Sequence, residues 1–209
     1  MAKVAFFDFD GTLTRRDSLL PFLRLVAGTP RFVGRMALLS PVLAAYAINL
    51  IRNDVAKERV LSYFLEGMEQ KSLQRLGANF ANERLPDMLR LAGVERLRWH
   101  QDQGHTCVLV SASLDVYLTP WASKIGFDDW ITSSLEIDDA ERIIGRLNGG
   151  NCFGEKKVHR IRDWLANKEF SYSYAYGDSS GDIPMLSLVN EGYLLNDGEF
   201  SLIHQVKRP

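Results

Sequence analysis

Three short apolar runs along the chain each stop abruptly at small or acidic residues. Val4 to Phe9 (VAFFDF) gives way to Asp10-Gly11-Thr12, Thr106 to Val110 (TCVLV) to Ser111, and Tyr172 to Tyr176 (YSYAY) to Gly177-Asp178. Their length and near-continuous apolar character predict buried strands of a parallel sheet. Between them the period lengthens to that of helices. Asp54 to Glu66 places Val55, Arg59, Val60 and Tyr63 at helical spacing, with Asp54 as the expected N-cap. Val94 to Gln103 precedes the second strand and should end at Gly104, and Val158 to Leu165 precedes the third. Trp130 to Leu147 reads as a small excursion, WITSSLEI and RIIGRL about a turn at Asp138-Asp139. Strands alternating with helices predict an α/β fold with an open, doubly wound parallel sheet.

The alternation breaks once. Residues 15–89 are helical in pattern and follow the first strand directly. The expected organisation is therefore a core of residues 1–14 and 90–209 with a helical cap, 15–89, inserted after that strand. Ligands of open α/β sheets bind at the carboxyl ends of the strands. The acidic and hydroxyl residues at the three strand ends should face one cleft, with the insertion above it.

Within the insertion, Phe32 to Ile51 carries one charge, Arg35, and Arg31 and Arg52 flank it. Its length approaches the ~20 residues of a membrane span, but Pro41 interrupts it. The expectation is a pair of apolar helices packed inside the cap. Peripheral membrane contact through residues 32–51 is the alternative.

Composition narrows the function classes. A net charge of −1, with basic residues only singly or in pairs, gives no footprint for nucleic acid. Two cysteines, Cys107 and Cys152, are too few for a disulfide framework or a four-ligand zinc site. The four histidines show no paired metal-ligand spacing. The first residues enter a strand-like segment without a charged leader and cleavage site, which predicts a cytoplasmic location, with the inner face of the membrane as a peripheral alternative.

Four features carry chemistry. In Asp8-Phe9-Asp10-Gly11-Thr12, strand alternation sends both carboxylates to one side, and glycine permits a tight turn against a ligand. Two such carboxylates repel unless a cation or shared proton intervenes, and a hard cation held by oxygens is one solution. One carboxylate could then attack phosphorus while the other handles the proton of the leaving oxygen. Gly177-Asp178-Ser179-Ser180-Gly181-Asp182 could complete a magnesium shell through Asp178, with Asp182 in support one turn later or serving as a helix cap. Ser111-Ala112-Ser113 offers a hydroxyl and backbone N–H groups to an anion, and Ser113 alone would suit an N-cap. Lys156-Lys157 opens a helix, and one of the two could reach the cleft to neutralise phosphate.

In this order the four features resemble the haloacid dehalogenase superfamily of phosphatases, within its phosphoserine-phosphatase-like subfamily IB. The segment Cys152-Phe153-Gly154-Glu155-Lys156-Lys157 is similar to the Cys-x-Gly-x-x-Lys of its bacterial members. The resemblance covers nearly the whole chain and implies a Rossmann-like core with a helical cap. It implies Asp8 as nucleophile and Mg2+ ligand, and Asp10 as general acid/base that also gives the metal its backbone carbonyl. Ser111 and Ala112 would hold the phosphoryl group, and Asp178 would bind the metal with Asp182 in support. Lys157 matches the family lysine in spacing, with Lys156 in reserve. On the cap side, Asp17 lies near the acidic substrate-binding position and Arg59 resembles the arginine that binds the substrate carboxylate. A helix cap for Asp17 and a surface role for Arg59 are the plainer readings. The implied activity is a magnesium-dependent phosphomonoester hydrolase acting through an aspartyl phosphate, on phosphoserine or another small phosphorylated metabolite. The long apolar stretch before Arg59 is instead similar to members acting on phosphatidylglycerophosphate, a lipid phosphate. A membrane-docking or binding protein with little catalysis is the alternative of another class, and the intact Asp8/Asp10 pair argues against it.

Overall fold

The computed structural model describes residues 2–206. The apolar run after Ala2 forms β1 (Lys3–Phe7), buried on both faces. It lies between β2 (Thr106–Leu114) and β5 (Tyr172–Gly177), parallel to both. β3 (Asp129–Ile137) extends the parallel sheet beyond β2, and β6 (Glu191–Asn196) extends it beyond β5. β4 (Ile143–Asn148) and β7 (Glu199–Gln205) close the two edges as antiparallel strands. The spatial order is β4-β3-β2-β1-β5-β6-β7.

The chain winds from β1 outward through β2 and β3, then returns to the other side of β1 for β5 and β6. The order therefore reverses at β1, and a crevice opens there at the strand carboxyl ends. Alternate residues of β1 serve two cores. Ala5 and Phe7 pack with Leu97, Tyr117 and Leu118 of helices α5 (Leu91–Asp102) and α6 (Asp115–Ile125). Val4 and Phe6 pack with Ile161, Met185 and Leu186 of α7 (Glu155–Leu165) and α8 (Ile183–Leu186). Each large side chain so buried contributes roughly 1.5–3 kcal/mol. Cys107 and Cys152 are buried free thiols. His100 is buried behind the sheet, its ring nitrogens 2.8 Å from the Tyr176 hydroxyl and 2.7 Å from His105 Nδ1.

Between β1 and α5 run four helices, α1 (Leu19–Ala27), α2 (Thr29–Ala47), α3 (Asn53–Leu65) and α4 (Gln70–Glu83). Thr14 and Leu89 form an isolated antiparallel bridge that draws the two ends of this stretch together. α4 packs on α6 at Gly77, where a Cβ would lie 2.1 Å from the Val116 carbonyl oxygen, so only glycine allows that approach. The β3–β4 hairpin grips α3: Glu58 Oε1 accepts from Leu147 N at 3.0 Å.

Four sequence expectations need correction. Residues 32–51 are not a pair of helices packed inside a cap. α2 runs unbroken through Pro41, and Leu39 is its buried residue. Pro41 cannot donate to the Ala37 carbonyl, but the Ser40 hydroxyl does so at 2.7 Å, and the helix continues. α3 begins at Asn53, so Asp54 sits in its first turn rather than capping it. β2 passes beyond Val110 to Leu114, because an irregularity in its pairing with β3 lets it absorb Ser111-Ala112-Ser113. The excursion at 130–147 supplies β3 and β4 to the main sheet itself. The β6–β7 hairpin was not anticipated, although Asn196-Asp197-Gly198, with positive φ at Asp197 and Gly198, is a strong hairpin-turn signal.

Candidate active site

The residues just past β1 form a tight turn at the crevice. Gly11 has φ 87°, and a Cβ there would lie 2.0 Å from Asp178 Oδ2, so the turn presses its backbone against the loop after β5. Arg90 Nε donates to the Gly11 carbonyl at 3.1 Å. The Thr12 hydroxyl lies 3.0 Å from Asp8 Oδ2 and 3.1 Å from Asp178 Oδ1, linking the two strand ends.

Asp8 is buried, and Lys157 Nζ, also buried, donates to its Oδ1 at 2.5 Å. The same ammonium reaches Asp182 Oδ1 at 2.7 Å. Asp182 Oδ2 accepts from the backbone of Asp178 and Ser179 and from the Ser179 hydroxyl, so it caps the loop as well as pairing the lysine. Lys156 is exposed, with Nζ 3.4 Å from the Gly149 carbonyl. Of the adjacent lysines, Lys157 reaches the crevice because it lies on the inner side of α7.

Asp8, Asp178 and Asp182 each place a carboxylate oxygen within 4.8 Å of the others. Burial lifts Asp8 to about 8 against the pull of Lys157, with Asp182 and Asp10 adding to the rise. Asp178 is raised by burial and by Asp182. Burial opposes the charge on Lys157, but Asp8 and Asp182 outweigh it and hold the ammonium protonated. Asp8 and Asp182 thus share one buried lysine, with Asp178 close beside them. The oxygen-only donor set and the surplus negative charge fit a hard divalent cation such as Mg2+.

The Asp10 carboxylate lies outside that trio. Its Oδ1 accepts from Ser18 N at 2.8 Å and its Oδ2 from the Ser113 hydroxyl. Burial, and then Asp17, lift Asp10 to about 6. Ser113 is therefore no helix cap: α6 starts two residues later, and its hydroxyl anchors Asp10 and approaches Ser18 Oγ at 3.3 Å. Ser18 Oγ is 3.1 Å from the Tyr117 hydroxyl. Ser111 is buried and accepts from Ser113 N at 3.0 Å, leaving its own proton for another acceptor.

Asp8, Asp10, Ser111, Ser113, Lys157 and Asp182 floor a cavity of about 350 Å³ whose opposite wall comes from the helical stretch. Leu19 and Leu20 of α1, Leu43 and Tyr46 of α2, and Ala56 and Val60 of α3 face it, with Phe153 at the rim. Asp17 lines it too, and its Oδ1 accepts from Leu19 N and Leu20 N at the start of α1.

Arg59 does not line the cavity and is exposed. The cation on this wall is Lys57, two residues earlier on α3. Its Nζ donates to the Ala112 carbonyl at 2.5 Å and to Asn151 Oδ1 at 3.0 Å. Burial lowers Lys57 to about 8, opposed by Asp10 and Asp17. Asn151 Nδ2 donates to Asn53 Oδ1 at 2.7 Å, and Asn53 Nδ2 to the Tyr46 hydroxyl at 3.0 Å. Asn53 and Lys57, one helical turn apart, thereby tie α3 to the core across the cavity rim. The sequence reading missed Lys57, Asn53 and Asn151. The signal was available: Ala56 and Val60 are the buried phase of α3, and Asn53 and Lys57 share that side whereas Arg59 does not.

The model of the haloacid dehalogenase-like hydrolase family matches residues 5–187. Protein CicA of Caulobacter vibrioides is 36% identical over 194 residues, covering 92% of this chain and 86% of that protein. Phosphoserine phosphatase SerB1 of Mycobacterium tuberculosis is 30% identical over 204 residues, covering 94% of this chain but 65% of that longer protein. A solved structure of a protein of unknown function from Bordetella pertussis Tohama I superposes with a TM-score of 0.79 at 27% identity, over 93% of this chain and 89% of the other.

Proposed function

Because the chain belongs to the haloacid dehalogenase-like hydrolase family, we propose that it is a phosphomonoester hydrolase acting through an aspartyl phosphate on Asp8. One observation carries the reading: Asp8 sits buried at the carboxyl end of the central strand, in contact with Lys157 and within the carboxylate trio. Asp8, Asp178 and the Asp10 carbonyl, supported by Asp182, would hold Mg2+. When bound, the ion supplies charge neutralisation and polarises the phosphoryl group.

Lys157 and the Ser111 hydroxyl, with the backbone at Ala112, orient the phosphoryl oxygens. Asp8 attacks phosphorus, the Asp8–phosphorus bond forms and the bond to the ester oxygen breaks. Asp10 gives its proton to that oxygen. It then takes a proton from water as the water attacks the aspartyl phosphate, releasing inorganic phosphate and restoring the Asp8 carboxylate and the protonated Asp10. Catalysis of this kind rests mostly on positioning and charge neutralisation. Residues 15–89 act as the cap that encloses the substrate.

The wall of the cavity bears on the substrate. Asp17 and Lys57 offer one negative and one positive group, which suits a zwitterionic small metabolite such as phosphoserine, and the similarity to SerB1 supports this reading. The apolar lining from Leu19, Leu20, Leu43, Tyr46 and Val60 favours a second reading, a phosphomonoester with a longer apolar part, as in a lipid phosphate. The two buried free thiols suit a reducing, cytoplasmic compartment.

Turnover of a generic aryl phosphate with magnesium, together with acid-trapped, hydroxylamine-labile labelling from a phosphorylated substrate, tests the chemistry. Labelling present in the parent and absent in Asp8→Asn is expected. Undiminished turnover in Asp8→Asn, or in excess chelator after metal removal, would contradict the proposal. A panel of phosphorylated amino acids, other metabolites and lipid phosphates then separates the two substrate readings.

A further inference from the structure

The outward side of α2 is apolar and uncovered. Val33 and Leu38, together with Ile48 and Leu50 just beyond the helix, are each more than half exposed. Ala37, Pro41 and Ala44 are exposed on the same arc, and no charge occurs from Met36 to Ile51. Contiguous exposed apolar surface of this kind marks an interaction site.

Its surroundings identify the partner. From Ser18 to Asn53 the chain holds four arginines and no acidic residue. Arg35 is drawn inward onto the Phe64 carbonyl, and Arg52 pairs with Asp54, while Arg24 and Arg31 stand exposed near the start of α2. A two-fold contact between copies would set this positive surface against itself. A surface of lipid phosphates would neutralise it. No helix among the described residues is long and apolar enough to cross a membrane, so the geometry that remains is a helix lying in the plane of the interface. The Ser40 hydroxyl on the Ala37 carbonyl suits that position, since it leaves no bare backbone acceptor where Pro41 interrupts the ladder.

We propose that α2 docks in the plane of an anionic bilayer, with Val33, Leu38, Ile48 and Leu50 among the lipids and Arg31 beside their phosphates. The inner side of the same helix contributes Leu43 and Tyr46 to the cavity wall, so docking brings the cavity mouth to the lipid surface. The docking stands apart from the catalytic reading, because vesicle binding is measured without turnover.

The test is co-sedimentation of the full chain with vesicles of phosphatidylcholine alone or of equal parts phosphatidylcholine and phosphatidylglycerol. Binding to the mixed vesicles and weakening with salt are expected. Arg31→Ala should weaken partitioning about fivefold, and Leu38→Ser with Leu50→Ser by about tenfold or more. These positions are solvent-facing, so unchanged thermal melts should accompany the loss. As a second readout, Leu38→Trp should shift its fluorescence to shorter wavelength on mixed vesicles only. Wild type that stays in the supernatant at millimolar lipid overturns the proposal, as does binding indifferent to both sets of substitutions. A stable dimer that Leu38→Ser with Leu50→Ser disperses would assign the surface to a second copy and overturn it equally.

Discussion

The two walls of the cavity are built on opposite plans. On the core side, Asp8 just past β1 and Asp182 in the turn after β5 are buried and joined through Lys157 of α7, beside a sheet whose central strand is buried on both faces. On the helical side the lining is apolar, Lys57 supplies the charge that meets the core, and the outward surface of α2 remains bare. On the proposed chemistry, the core wall holds the groups that make and break bonds, and the helical wall meets whatever is attached to the phosphate. Substitutions in the floor should therefore lower kcat, and substitutions in the helical wall should move KM.

The largest test of that division is Asp10→Asn. It keeps the acceptor for Ser18 N but removes the transferable proton. On an aryl phosphate with a poor leaving group, kcat should fall about 10²–10⁴-fold with KM changed far less. A rise in KM that accounts for the whole effect would place Asp10 with the binding wall instead.

Lys157→Met probes the floor as structure. It leaves Asp8 and Asp182 facing each other in a buried site without their shared cation, which should cost about 3–5 kcal/mol, read by chemical denaturation in the absence of metal. Magnesium should recover part of the loss and should stabilise the parent as well, because the trio needs positive charge in either case. If magnesium leaves both denaturation midpoints unmoved, the trio is not a cation site.

How much of this was legible in the sequence follows the same division. The three acidic or hydroxyl segments could be placed at one crevice because β1, β2 and β5 are neighbouring parallel strands, although β2 runs on past its apolar run to Leu114. Lys157 was preferred to Lys156 by the spacing of the motif it resembles, and it is the phase of α7 that turns Lys157 inward. Lys57 was passed over for Arg59 for the same reason: two residues on a helix are about 200° apart, and the phase is set by which side finds the core. Pro41 misled in another way. Proline in a helix removes one donor, and nothing in a linear pattern announced that the Ser40 hydroxyl would take the orphaned carbonyl.

Lys57 offers the next measurement. For a phosphomonoester carrying a second anionic group, Lys57→Met should raise KM about tenfold, the scale of one lost charged hydrogen bond, whereas Arg59→Ala should leave it unchanged. The pH profile sharpens this. Burial holds Lys57 at about 8, so the ammonium is present below that pH and is lost as pH rises through it. KM should climb above pH 8 in the parent and stay flat in Lys57→Met. The same climb in both proteins would remove Lys57 from substrate binding.

The smallest effect concerns how α2 tolerates its proline, and a double-mutant cycle resolves it. Ser40→Ala leaves the Ala37 carbonyl without its hydroxyl donor and should destabilise the protein by about 0.5–1.5 kcal/mol in urea melts. In a Pro41→Ala background the new backbone N–H of residue 41 reaches the same carbonyl, so the cost of Ser40→Ala should shrink toward zero. The difference between the two costs isolates the hydroxyl's substitution for a missing ladder bond. Equal costs in both backgrounds would mean that Ser40 does something else, and the continuity of α2 would need another cause. An outcome as expected would show that the helical wall carries its apolar surface on a backbone already satisfied from within, free of any need for the core beneath it.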